Sequence, residues 1–426
     1  MYSYHIGELM KIAIIAPGSQ GDVQPFLALG KGLLKSGNTV RLVTNQNYEQ
    51  EVKSHGLEFW SIEVSMEDFI RSEKMREVLE SGKLLTSMAR MGKELKQHAA
   101  LLTERSLNAC QDVDMIMAGI SGLFTGQSIA EKLEIPFLQA QNIPFTPTKA
   151  FPGALFPNFP SWLGYRTSHR LTQQVVWQAY RPTDKVVREQ VLELPKSPFF
   201  GPFKSNSFKK HPIFYGISPS IIPRPIDWTD NIYVTGFWFL DPPEDWNPSS
   251  TLTEFLQAGP APLYIGFGSM SNKNPKETAD LVLEALKITN QRAIVFSGWG
   301  GLSTANLPES VLMIDSVPHS WLFPRVQAVI HHGGAGTTAA GLRAGVPSVI
   351  VPFHGDQPFW GRLIADLGVG PKPIPRKKLT TQRLVGAIQN IKVDKKMRDR
   401  AADLGSKIRS EDGIENAIAL LTQINI

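Results

Sequence analysis

Short apolar runs that stop at a glycine turn, each followed by a helix-spaced stretch, recur along this chain and restrict its fold more than any other feature. Lys11–Pro17 (KIAIIAP) reads as a strand buried on both faces, and it stops at Gly18. Gln24–Ser36 then sets Phe26, Leu29, Leu33 and Leu34 on one helical face, Gly37 and Asn38 end it, and Thr39–Thr44 (TVRLVT) is the next strand. Strand, helix, strand in succession calls for a parallel sheet with a right-handed crossover. The rhythm continues with a strand at Asp114–Ala118, a helix at Gly122–Leu133 and a strand at Pro136–Ala140. Residues 65–108 read as mostly helical, residues 143–212 as an irregular stretch rich in proline and aromatics, and Tyr215–Ser218 and Ile232–Thr235 as closing strands.

After a stretch thick with Pro, Asp, Gly and Ser the rhythm restarts. Strands are expected at Pro262–Phe267, Ala293–Ser297, Val311–Ile314, Ala328–His331 and Ser348–Pro352, and helices at Pro275–Thr289, Thr337–Ala344, Gln357–Leu367 and Thr380–Ile391. Two polar helices near 394–408 and 411–422 finish the chain. The expected class is α/β: two doubly wound, Rossmann-like domains facing across a cleft. They occupy 1–240 and 262–408, with a linker at 241–261 and a C-terminal helix in 409–426 packing back toward the first domain. Ligands of such sheets sit outside the carboxyl ends of the strands.

Composition removes several alternatives. Of 426 residues, 42% are hydrophobic and 19% charged, which excludes a disordered chain. A single cysteine, Cys110, excludes a disulfide framework or a zinc-finger set and reads as a small buried apolar residue; a reduced, cytosolic setting fits. The start MYSYHIGELMK is no signal peptide, Met10 is an alternative start, and no stretch is apolar enough to span a membrane. A net charge of +5 is too mild for a nucleic-acid binder; its densest run, Lys372–Arg383 (KPIPRKKLTTQR), is a solvated face or a contact for anionic lipid. Oligomeric state is not legible.

The chemistry-bearing segments follow strand ends. His331-His332-Gly333-Gly334-Ala335-Gly336-Thr337-Thr338 is a strand end, a glycine turn and a helix start, where bare amides and the positive end of the helix dipole favour a phosphate. Thr337 and Thr338 add hydroxyl donors and His331 an imidazole N–H. In His354-Gly355-Asp356-Gln357, the Asp356 carboxylate and the Gln357 carboxamide suit adjacent sugar hydroxyls, with a helix cap as the plainer role. Gly268 and Ser269, after the first strand of the second half, form a second wall for the same phosphates. In the first half, Gly18-Ser19-Gln20-Gly21-Asp22 offers Asp22 as a general base, or as a cap of the helix behind it. Asp112-Val113-Asp114 looks like a cation motif, but it directly precedes a strand, and no metal is required.

Together these segments resemble the nucleotide-sugar glycosyltransferases of the GT-B fold, nearest to the sterol 3-β-glucosyltransferases and the bacterial antibiotic glycosyltransferases. The resemblance runs from about Lys11 to Gly370 and is strongest in VPHSWLFPRVQAVIHHGGAGTTAAGLRAGVPSVIVPFHGDQPFWG; GSQGDVQPFLALGKGL and SPSIIPRPIDWTDNIYVTGFWFLD carry it too. It implies an inverting, metal-independent transfer of a hexose, glucose from UDP-glucose, to a hydroxyl of a lipophilic acceptor, with no cofactor beyond the nucleotide sugar. It implies that Asp22 is the base, that His331 and the loop Gly333, Gly334, Ala335, Gly336, Thr337 and Thr338 hold the diphosphate, that Ser269 touches phosphate, that Asp356 and Gln357 bind the hexose, and that Ser316 and Val317 lie against the uracil; Ser19, Gly21 and Gly268 are counted with the donor site. Two positions depart from the family pattern. Gln20 stands where GSRGD has Arg, and Ser316 stands where plant relatives stack a Trp; Trp321 nearby is an alternative stacking ring or a buried anchor.

Acceptor contacts are expected from Phe151, Phe156, Phe159 and Trp162 in FPGALFPNFPSWLGY, as a lipophilic pocket wall, a lip dipping into a membrane surface, or a loop covering the core. A dinucleotide oxidoreductase fails, because the first turn reads GSQGDV and the second strand ends in Thr44-Asn45 without an acid. A sugar-nucleotide epimerase or a non-catalytic glycolipid-binding module are the remaining alternatives.

Overall fold

The computed structural model describes residues 9–62, 84–243, 245–267, 275–297 and 307–424. They form two compact units: the chain up to Leu240 together with Glu411–Ile426, and Asp241–Ser410.

In the first unit, seven strands among the described residues make one sheet: β1 (Lys11–Ile15), β2 (Thr39–Thr44), β3 (Glu58–Ser61), β4 (Met115–Ala118), β5 (Phe137–Gln141), β6 (Ile213–Tyr215) and β7 (Ile232–Val234). Their order is β3-β2-β1-β4-β5-β6-β7 and every pairing is parallel. Strand alternation divides the apolar residues between two faces. Ile12 and Ile14 pack with Phe26, Leu29 and Leu33 of the helix Gln20–Lys35 and with Ala417 and Leu421 of the C-terminal helix Gly413–Leu421. Ala13 and Ile15 pack with Leu123 and Ile129 of the helix Leu123–Leu133 and with Trp177. Each such Ile, Leu or Phe side chain, buried to within a few per cent, contributes roughly 1.5–3 kcal/mol. Gly32 lets the C-terminal helix approach, since a Cβ there would lie 2.2 Å from Ile414. Glu411 accepts from the hydroxyls of Ser218 (2.8 Å) and Ser220 (2.6 Å), which ties the same segment down.

The second unit is a five-stranded parallel sheet among the described residues: β8 (Leu263–Gly266), β9 (Ala293–Phe296), β10 (Val311–Ile314), β11 (Ala328–His331) and β12 (Ser348–Ile350), in the order β10-β9-β8-β11-β12. In both sheets the order reverses beside the first strand, between β1 and β4 and between β8 and β11, so each has a switch point where loops splay apart.

Three segments differ from the sequence reading. The first helix starts at Gln20, not Gln24, with Ser19 as its N-cap and Pro25 inside it. Pro25 lacks the N–H that would reach Gly21 C=O, and that carbonyl accepts from Asn142 Nδ2 instead (3.3 Å). The stretch expected to be irregular contains the 21-residue helix Tyr165–Lys185. Its Thr, Val and Pro content argues against a helix locally; packing on the helix Leu84–Ala109 overrides that, with Gly92 against Ala179 leaving no room for a side chain. The linker region contains a helix, Ser250–Gln257, capped by Ser249, whose hydroxyl accepts from Leu252 N. The first part of the expected 65–108 helical stretch lies outside the described residues.

Cys110 is buried in the first unit, and burial pushes its thiol up to about 12. Asp112 is held by Lys11 (2.6 Å) and Arg41 (2.6 Å), which keep its carboxyl well below the usual range, and Asp114 accepts from Lys11 N (2.7 Å), so both acids pin the amino end of the sheet.

Candidate functional site

Parallel register decides which loops of the second unit meet. His331 is paired with Gly266 of β8 on one side and with Ile350 of β12 on the other. Phe267 and the segments 332–337 and 351–357, which leave these strands, therefore emerge side by side at the carboxyl edge, at the switch point. Gly268 and Ser269 lie outside the described residues.

His331 ends β11 fully buried. Its Nδ1 accepts the Gly333 N–H (3.1 Å), so the neutral ring carries its proton on Nε2. Burial, with His332 and His319 nearby, holds its pKa well below the ordinary value. Nε2 has no partner among the described residues, which leaves a buried N–H donor on the residue that leads into the glycine turn. Gly333 takes φ +90°, and a Cβ there would meet Ile350 at 2.6 Å, so both backbone and packing require glycine. Gly334 is the N-cap of the helix Ala335–Ala344 and supplies no side-chain cap. The first-turn amides of Ala335, Gly336 and Thr337 start the helix, and Gly336 is exposed with nothing within 4 Å of where a Cβ would stand. A helix start without a side-chain cap, opened by glycine, attracts an anion through its amides and dipole. Thr337 is half-buried, whereas Thr338 is buried with its hydroxyl donating to Gly334 C=O (2.9 Å); the expected second hydroxyl donor is thus spent on the helix.

Asp356 and Gln357 start the next helix, Gln357–Asp366. Asp356 occupies the N-cap but caps no amide with its side chain; its Oδ2 accepts from the indole N–H of Trp360 (2.7 Å), one turn on. Gln357 is buried, and its Oε1 accepts from Phe353 N (2.8 Å) and His354 N (3.2 Å). The carboxamide oxygen thus shapes the turn that presents Asp356. Ser316 is exposed and Val317 half-buried in the loop after β10, at the same carboxyl edge. Trp321 is half-buried, with Arg325 over its ring at 4.3 Å and Trp246 packed at 5.3 Å.

In the first unit Asp22 sits at the switch point after β1. It is the third helical residue, and its Oδ2 accepts from Ser19 N and Ser19 Oγ, both 2.9 Å away. Cap and candidate base are therefore one residue. Loss of solvation raises its pKa above the ordinary 3.8, opposed by the two Ser19 bonds. The Ser19 hydroxyl is turned onto Asp22, and Gly21 contributes its carbonyl to Asn142, so both shape the turn around the carboxylate. Gly18, at φ +142°, lies so close that a Cβ would stand 2.5 Å from Asp22 Oδ2. Asn45 brackets Gly18, donating to its carbonyl (2.9 Å) and accepting from its amide (3.4 Å). Gln20 donates to Glu51 (3.3 Å).

Of the expected acceptor residues, Phe151, Phe156 and Phe159 are half-buried, and Trp162 is 81% exposed. The Phe151 ring packs against His169 (5.6 Å), and its carbonyl accepts from His169 Nε2 (3.0 Å). Asn45, Asn142, His169 and Trp360 were not singled out from the sequence. Only the Asn ending a strand beside the glycine turn offered a hint.

Two parallel α/β units with these strand-end sites define the GT-B class, and solved structures share the fold. CalG4, the calicheamicin glycosyltransferase, matches with a TM-score of 0.69 at 19% identity, covering 98% of both chains. The glycosyltransferase SsfS6 from Streptomyces sp. SF2575, complexed with thymidine diphosphate, matches at 0.63 and 20%, covering 97% of this chain and all (100%) of that one. Residues 12–152 match the glycosyltransferase family 28 N-terminal domain, and residues 281–417 the erythromycin biosynthesis protein CIII-like C-terminal domain. Two Arabidopsis thaliana proteins, sterol 3-beta-glucosyltransferases UGT80A2 and UGT80B1, are 37% and 36% identical over 96% of this chain. The chain belongs to the sterol 3-beta-glucosyltransferase family of glycosyltransferases. It spans 64% and 67% of the lengths of those two relatives, and 35% of the Saccharomyces cerevisiae sterol 3-beta-glucosyltransferase, to which it is 36% identical.

Proposed function

We propose that this protein transfers glucose from UDP-glucose to the hydroxyl of a sterol or a similar lipophilic acceptor, in one inverting displacement. The observation that carries the reading is the start of the helix Ala335–Ala344, which has no side-chain cap, following closely in the chain on a neutral His331 whose Nε2–H has no partner among the described residues. A diphosphate is the ligand such a cradle favours.

In this reading Asp22 accepts the acceptor's hydroxyl proton while that oxygen bonds to the anomeric carbon. The bond from that carbon to the diphosphate oxygen breaks, and its electron pair leaves with UDP. The charge that develops meets the helix-start amides and the His331 N–H, donors that the fold holds in place before the reaction. Displacement from the face opposite the leaving group turns an α-linked donor into a β-glycoside. Asp356, oriented by Trp360, accepts from the hexose hydroxyls, Gln357 supports it, and Ser316 and Val317 border the base. With the phosphate charge met in this way, the reaction needs no metal, and EDTA should leave the rate unchanged.

The test is incubation with UDP-glucose or dTDP-glucose and cholesterol, reading the product by mass spectrometry and its anomeric configuration by NMR. A β-linked steryl glucoside is expected. Consumption of donor with an epimerised sugar nucleotide, or binding without turnover over a broad acceptor panel, overturns the reading. A lipophilic acceptor is reached at a bilayer surface, so the enzyme works as a peripheral membrane protein; among the described residues no helix is long and apolar enough to cross a membrane.

A further inference from the structure

Among the described residues ten large hydrophobic side chains are exposed, and they are not scattered evenly. Five of them, Trp162, Leu163, Leu171, Phe199 and Phe200, lie between positions 162 and 200, and they include every exposed Trp and Phe. Trp162 is 81%, Phe199 58% and Phe200 66% exposed. Isolated apolar residues on a surface need no explanation, but a concentration of aromatic rings does.

All five lie on or beside one helix of the first unit. Trp162 and Leu163 form the turn that leads into the helix Tyr165–Lys185, which is about 30 Å long. Helical spacing sets Thr167, Arg170, Leu171, Gln174, Gln178 and Arg181 on one face of it. Phe199 and Phe200 are fastened beside that face by their main chain. Phe199 C=O accepts from Trp177 Nε1 (2.8 Å) and Gln178 Nε2 (3.0 Å), and Phe200 C=O accepts from Gln174 Nε2 (2.9 Å). The two rings meet edge to face at 5.0 Å, and the Arg181 guanidinium covers one side of Phe199 at 4.2 Å. The rings are thus held outward by a rigid backbone instead of folding back onto the core.

The exposed charge of the helix itself has one sign, and the first exposed acids come after it, at Glu189 and Glu193. Arg170, Arg181 and Lys185 project to solvent, as do Lys196 and Lys204 flanking the Phe pair. The only acid in the helix, Asp184, is buried and occupied by Ser197, whose hydroxyl donates to it at 3.0 Å. Arg166 is taken by Asp227 (2.9 Å). A rigid helix lying flat, with a Trp before its start, a pair of Phe rings beside its middle and cations along the same side, fits the headgroup layer of an anionic bilayer, where rings enter the acyl boundary and cations meet lipid phosphate and carboxylate.

We infer that the outer face of the helix Tyr165–Lys185, with Trp162 and the Phe199–Phe200 pair, is the surface by which this protein docks on anionic lipid membranes. This goes beyond the transfer reaction and does not depend on it. It also replaces the basic run Lys372–Arg383 as the docking element. That run sits in the second unit with Ile374 and Leu379 turned into the core and Arg376 bonded to Thr278 (2.8 Å), and it exposes no large apolar side chain.

The experiment is co-sedimentation of the full chain with phosphatidylcholine vesicles, with and without phosphatidylserine and without any sterol. Wild-type protein should pellet with the anionic vesicles and be released by salt. R170E/R181E/K185E should lose about a hundredfold in partitioning or more, at roughly a fivefold loss or more per reversed charge. W162A/F199A/F200A should lose at least about tenfold, with its melting temperature and circular dichroism unchanged. K372E/K377E should bind like wild type. The inference is overturned if wild-type protein ignores anionic vesicles at low salt or if the ring variant binds as wild type. It is also overturned if light scattering shows that the same face joins two copies of the chain. None of these readouts involves glucosyl transfer, so a failed transfer assay and a failed docking assay remain separate results.

Discussion

The Gly333 amide donates to Nδ1 of His331 at 3.1 Å, and this one bond decides what the imidazole can do. It fixes the proton on Nε2, and burial keeps the ring from taking a second. The residue is therefore a neutral hydrogen-bond donor, not a cation, and its contribution is directional.

Replacing His331 by Ala should lower kcat with UDP-glucose by about 10²–10³-fold, the usual loss for one preorganised donor to a developing charge. The acceptor KM should change little. Since the ring stays neutral, its own titration should leave no limb in the pH–rate profile above pH 6. A rate loss confined to acceptor KM would place His331 outside the donor site.

Gly333 and Gly336 separate stability from binding. Gly333→Ala meets a positive φ and Ile350 at 2.6 Å, and should cost about 2–4 kcal/mol of stability, read as a lowered melting temperature. Gly336→Ala meets nothing within 4 Å and sits inside a helix, so it should stabilise by roughly 0.5–1 kcal/mol. Its methyl group would stand over the first-turn amides, so UDP affinity by calorimetry should fall at least about tenfold. Unchanged affinity would mean that phosphate does not approach that turn.

Asp22→Asn should abolish transfer and leave UDP affinity intact. The wild-type carboxyl titrates above its ordinary 3.8 because it loses solvation, so kcat/KM should fall on the acid side with a limb above that value. A carboxyl whose folded pKa is raised opposes folding at neutral pH, so the Asn variant should melt no lower than wild type. Gly18→Ala, whose Cβ would stand 2.5 Å from the carboxylate, should depress kcat while shifting stability by only about 1–2 kcal/mol.

Acid should destabilise the fold through its buried histidines. Burial lowers His169, His319, His332 and His354 from 6.5 to about 4. The unfolded chain binds these protons first, so the stability they support is present above pH 6.5 and is lost as pH falls toward 4. Each fully shifted site contributes up to about 1.4 kcal/mol per pH unit in that window. Melting temperature should drop steeply between pH 6.5 and 5. Replacing His169, whose ring packs on Phe151, with Gln should flatten part of that slope. A flat profile would mean that these rings are solvated.

The sequence by itself determined the two-sheet α/β plan, because strand and helix periods are local properties of neighbouring side chains. It also determined the composition of the glycine turn after β11 and the presence of an acid after β1. Tertiary structure decided what those groups do. Asp22 turned out to be helix cap and candidate base at once, since the helix runs back to Gln20 once Asn142 satisfies the carbonyl that Pro25 leaves open. The Thr338 hydroxyl and the Gln357 oxygen are spent on backbone, which no spacing in the sequence reveals. The helix Tyr165–Lys185 was illegible because its own residues favour helix weakly. Its stability comes from a partner helix distant in sequence, and long-range packing of that kind is not encoded in a local window.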